Sequence, residues 1–90
     1  MTASFVRSGR ALHRNAGPDV VAMLPGGGEV HVLSGPAAVI WDILGDAATI
    51  DDVTSEVADL YRQPIDGVRR SIDDCVRRLA RRGLLEERRG

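Results

Sequence analysis

Few side chains in this 90-residue sequence belong to types that do chemistry: two histidines, His13 and His31, one cysteine, Cys75, and arginines gathered toward the C-terminal end. Acid–base or nucleophilic catalysis needs a base within hydrogen-bond reach of the group it activates. No carboxylate, histidine and nucleophile recur here at a spacing that would bring them together, so the chain is read as non-enzymatic. Two histidines without cysteine or acidic partners at i, i+4 spacing make no metal set, and no metal or cofactor is expected. Cys75 falls on an apolar helical stripe, where a cysteine behaves as a small hydrophobe. A single cysteine also excludes an intrachain disulfide, which fits a reducing compartment.

Two further motifs suggest ligands. Gly26-Gly27-Gly28 lacks the lysine and the serine or threonine of a phosphate-binding loop and precedes a strand, so it reads as a hairpin turn. The arginines Arg69, Arg70, Arg77, Arg78, Arg81 and Arg82 on one helix resemble a recognition helix, which makes a small winged-helix DNA-binding regulator the alternative reading. Against it, 12 basic and 13 acidic residues give a net charge of −1. Asp66, Asp73 and Asp74 on the same helix further weaken attraction to phosphates. No nucleic-acid partner is expected. The acids Asp51, Asp52, Glu56 and Asp59 are read as a solvated helix face.

The elements that must position these groups follow from periodicity. At 43% hydrophobic and 28% charged residues, the composition is that of a folded globular chain. Its length holds one domain, residues 1–90, with 1–9 and a tail over 86–90 expected to be flexible. No apolar run is long enough to span a membrane and the start lacks a signal-peptide core, so no membrane contact and a cytoplasmic location are expected. Strands are predicted over Arg10 to Asn15, Asp19 to Leu24 and Glu29 to Leu33, the last two joined by the glycine turn. Ala37, Ile40, Trp41 and Leu44 then follow helical spacing, with Ser34 as cap, Pro36 in the first turn and Gly45 as terminator. A second helix starts at Thr49, buries Val53, Val57 and Leu60, and ends near Arg62. A third runs from Asp66 as N-cap to Arg82 before Gly83, with Ile65, Val68, Ile72, Cys75, Val76 and Leu79 as its core stripe. The fold class is α+β, a winged helix-turn-helix-like arrangement of a three-stranded antiparallel sheet followed by three helices.

Leu33-Ser34-Gly35-Pro36-Ala37-Ala38 leading into Ile40-Trp41, the Thr49-Ile50-Asp51-Asp52-Val53 helix start, and Leu79-Ala80-Arg81-Arg82-Gly83-Leu84-Leu85 occur here in an order and spacing that resembles the PqqD-like proteins. These are the stand-alone form of the RiPP recognition element, which binds leader segments of ribosomally made peptides. The resemblance covers Val30 to Glu87. Where such families often have Leu-Asn before the first helix, this chain has Leu33-Ser34, and serine caps equally well.

The resemblance implies that a precursor (leader) peptide adds as a strand to the third predicted strand and lays apolar side chains against the third helix. It is then delivered to a modifying enzyme or leader protease of the same pathway, of lasso-peptide or radical-SAM type. Carried over residue by residue, the peptide-binding positions are Glu29, Val30, His31, Val32 and Leu33 on the strand, with Arg69, Asp73, Val76, Arg77 and Ala80 on the helix. Independently of the resemblance, Glu29 to Leu33 has no proline and one charged residue, so an edge there is poorly protected against strand addition. The same property allows either a monomer or an edge-strand homodimer. A purely structural subunit that completes an enzyme is the third reading.

Overall fold

The computed structural model describes residues 2–89. It contains two antiparallel three-stranded sheets and three helices. Strand β1 (Ala3–Arg7) is followed by β2 (Leu12–Ala16), β3 (Asp19–Met23) and β4 (Val30–Leu33), then helix α1 (Pro36–Ile43). A two-residue strand β5 (Ala48–Thr49) leads into α2 (Ile50–Tyr61), and α3 (Ile65–Arg81) is followed by β6 (Leu85–Arg89). The predicted meander is the sheet β2-β3-β4, with strand limits shifted by one or two residues. None of the helices is long and apolar enough to cross a membrane among the described residues.

The other sheet, ordered β5-β1-β6, was not expected from the sequence. Residues 1–9 and 86–90 were expected to be flexible, and this is corrected for the described parts, while Met1 and Gly90 lie outside the described residues. The physical reason is long-range pairing. Phe5 opposes Glu87 and Ala48, and Arg7 opposes Leu85, so two segments with little strand character of their own complete each other's hydrogen bonds. Phe5 and Leu85 place their side chains in the core while most of β6 stays in water.

Helix starts are set by local chemistry. At α2, the Thr49 hydroxyl accepts from the Asp52 amide and the Asp52 carboxylate accepts from the Thr49 amide, a reciprocal capping box. At α1, Gly35 rather than Ser34 is the N-cap, with no side-chain capping bond, and Pro36 occupies the first turn. At α3 the cap is Pro64, not Asp66, because the extended proline residue already ends the turn after α2. Leu60 and Ile65, both expected in the core, are exposed because they sit where α2 turns into α3 at the edge of the helix layer.

The core joins all layers. Val20, Ala22 and Leu33 from the β2-β3-β4 sheet meet Ile40, Trp41 and Leu44 of α1, Val53 and Val57 of α2, and Ile72, Val76 and Leu79 of α3. Arg7 ties the second sheet to the end of α1. Its Nε donates to the Trp41 carbonyl at 2.7 Å and its guanidinium carbon lies 5.3 Å from the indole centre. A cation is favoured there by the exposed carbonyls of the helix C-terminus and by the aromatic face.

Gly83 ends α3 at φ +80°, and a Cβ added there would approach Leu24 Cδ1 at 2.9 Å. Gly83→Ala therefore combines left-handed backbone strain with a clash, and a loss of about 1–2 kcal/mol is expected in urea unfolding.

Candidate functional site: two free strand edges and a helix flank

Strand β4 is an outer strand of its sheet, paired on one side with β3 through Val20–Leu33, Val21–Val32, Ala22–His31 and Met23–Val30. Among the described residues its other side carries no partner strand, so alternate backbone N–H and C=O groups face outward. The strand's two faces differ. Leu33 is buried and His31 half-buried on the face that meets the core, whereas Val30 and Val32 are 56% and 62% exposed on the opposite face. Glu29 precedes the strand and is exposed. Two apolar side chains beside unpaired backbone groups are costly to leave in water and favourable to cover with an incoming strand.

The structure divides the ten sequence-predicted binding residues. Glu29, Val30, His31, Val32 and Leu33 lie together at this edge. Val76 is wholly buried and offers no surface. Arg69, Asp73, Arg77 and Ala80 occupy the flank of α3 that turns to the other sheet. Arg69, Asp73 and Arg77 line a groove of about 530 Å³ with Ala3 and Phe5 of β1, while Arg77 and Ala80 share a smaller one with Leu85 and Glu87. Their charges are largely matched: Arg69 pairs with Asp51, and Arg77 Nε donates to Asp73 at 3.0 Å. The structure does not gather these four residues with β4 in one cleft. Val76 and Ala80, which widen the apolar stripe of α3 toward Arg69 and Asp73, are covered from the side of β1 and β6, the strands that local periodicity does not reveal.

At 100° per residue, the opposite flank of α3 carries Val68, Ser71, Cys75, Arg78 and Arg82. Val68 and Cys75 are half-buried and the other three exposed. Burial pushes the Cys75 thiol above its ordinary pKa, and the positive charge of Arg78 offsets part of that rise. Sequence reasoning assigned Cys75 to the core stripe. Its position at the margin of that stripe, 60° from Ile72 on the helical wheel, is the one signal that it borders the surface. Among the described residues, no group of three or more His, Cys, Asp and Glu side chains converges as a metal set would.

The fold and its edges define a small α+β protein of two antiparallel sheets and three helices, with free backbone edges on its outer strands among the described residues. The sequence profile of coenzyme PQQ synthesis protein D (PqqD) matches residues 19–85, and the chain belongs to the PqqD family. β1, β2 and nearly all of β6 lie outside the matched residues. No curated protein matches the sequence. Among solved structures, the fold is similar to that of TbiB1 in complex with the TbiA(beta) leader peptide. That protein is 22% identical, with 90% of this chain and 94% of that chain covered and a TM-score of 0.81.

The raised thiol pKa has a measurable consequence. At about pH 8, Cys75 should react with iodoacetamide more slowly than free cysteine, and the rate should climb only above the ordinary thiol pKa. Because the folded state holds this proton more tightly, its contribution to stability is complete below the unfolded-state pKa and declines as pH rises beyond it.

Proposed function

We propose that this protein binds the leader segment of a ribosomally synthesised precursor peptide by strand addition to β4 and delivers it to a modifying enzyme or leader protease. The observation that carries this reading is the free edge of β4, with Val30 and Val32 exposed, in a chain that belongs to the PqqD family. Its likeness to a protein bound to a leader peptide supports the same reading. The protein acts without catalysis of its own and works in the cytoplasm, where precursor peptides are made.

The mechanism follows from strand geometry. An extended peptide beside β4 satisfies the outward backbone groups of residues 29–33, which supplies affinity with little dependence on peptide sequence. Its side chains alternate between two faces. Those on the face of His31 and Leu33 turn toward the core side of the sheet. Those on the other face lie beside Val30 and Val32. Specificity comes from what these two surfaces accept, and a tethered precursor reaches its enzyme at raised effective concentration.

Duplex DNA is the weaker reading. The net charge is −1, and two of the helix arginines that would face phosphates are already paired with Asp51 and Asp73. Self-pairing of β4 edges in a homodimer would compete with the leader for the same groups.

Backbone N–H groups alternate in direction along β4, so His31→Pro and Val32→Pro should separate cleanly. One of them removes an outward N–H and should weaken leader binding by about tenfold in calorimetry while leaving the fold intact. The other removes a bond to β3 and should lower the unfolding midpoint. Full leader affinity in both folded variants would contradict strand addition at β4.

A further inference from the structure

The sheet's other outer strand, β2, borders a second groove, of about 590 Å³, walled by β2, the start of β3, α1 and the end of α2. Register places His13 opposite Ala22 and Asn15 opposite Val20, so both belong to the core-facing side of the sheet. Yet all five residues of β2 are exposed, because the strand overhangs the helices, with His13 reaching back to Trp41 of α1. Leu60 and Tyr61 form the far wall at 63% and 41% exposure.

Trp41 contributes to the wall between them. Its side chain is 1% exposed, and its indole Nε1 is the buried side-chain polar atom without a hydrogen-bond partner among the described residues. Leaving such a donor unpaired is costly, and Arg7 against the ring holds the indole in place. His13 packs edge-on to it at 5.4 Å and is itself exposed, a cover that an incoming group can displace. Asp19 and Asp42 also line the groove and Arg7 offsets one of them, which disfavours an anionic acceptor.

We infer that the β2 groove is a second peptide site, which takes an extended, uncharged segment of the enzyme that receives the leader. The segment pairs with the free edge of β2, a carboxamide side chain accepts from Trp41 Nε1, and an apolar side chain packs on Leu60 and Tyr61. This rests on the proposed delivery role: presenting a bound peptide requires a second surface that leaves β4 uncovered. The two outer strands of one sheet meet that requirement.

The test uses the full chain, isotope-labelled, with two probes, Ac-Thr-Gln-Thr-Val-Thr-amide and the same peptide with leucine in place of glutamine. Trp41 is the one tryptophan, so its indole N–H resonance is unambiguous. The glutamine peptide should move that resonance and the β2 amides, and should bind about tenfold tighter than the leucine peptide. Trp41→Phe, which keeps an aromatic ring and loses the N–H, should abolish that preference. His13→Ala serves as the second variant, since it leaves the core untouched and should strengthen binding of the glutamine peptide. Equal binding of both peptides to the wild-type chain, or no movement of the indole at millimolar peptide, overturns the proposal. Shifts confined to Val30–Leu33 also overturn it and leave strand addition at β4 standing.

Discussion

The sheet β2-β3-β4 is anchored to the rest of the molecule through three buried side chains, Val20, Ala22 and Leu33. Two belong to the central strand and one to β4, while β2 contributes none. A sheet held along so narrow a stripe keeps its middle fixed against α1 and α3 and leaves both outer strands without cover. Burial is what makes the fold stable, and its narrowness is what makes the edges available. Peptide recognition by added strands needs a rigid template with unsatisfied backbone groups, and this arrangement supplies one.

The second sheet has a structural role in this arrangement. β1 and β6 cover one flank of α3 and bring Phe5 and Leu85 into the core. Arg7 and Ser8 extend the tie, since their amides donate to the carbonyls of Leu44 and Leu84 at 2.9 Å each. The helix is thereby fixed on the side of Arg69, Asp73 and Arg77. Ion pairs along the covered flank are solvent-exposed and contribute little to stability. They do keep its charges locally matched.

Local signals carried the sequence reading where structure is set locally. The hairpin at Gly26 and Gly28, both at positive φ, the Thr49–Asp52 capping box and the Gly83 stop are each legible within a few residues. The edge at residues 29–33 was legible for the same reason, because protection of an edge is written in its own side chains. What escaped is non-local. LEERR in β6 has one apolar residue and becomes a strand only by pairing with β1, some eighty positions earlier in the chain. Without that sheet in view, the flank of α3 bearing Arg69, Asp73, Arg77 and Ala80 looks unoccupied. The helical spacing puts Val76 and Ala80 on that side of α3 and cannot say which strand covers them. Likewise, the unpaired Trp41 N–H is a property of packing, invisible in a sequence where tryptophan reads only as core.

The central claim concerns which backbone edge receives the peptide, and amide hydrogen exchange reads that directly. With the leader of the precursor peptide bound, alternate amides within residues 30–33 should slow strongly while those of β1 and β6 remain unchanged. Protection confined to α3 or to the β1 groove, with β4 exchanging as in the free protein, would contradict the account.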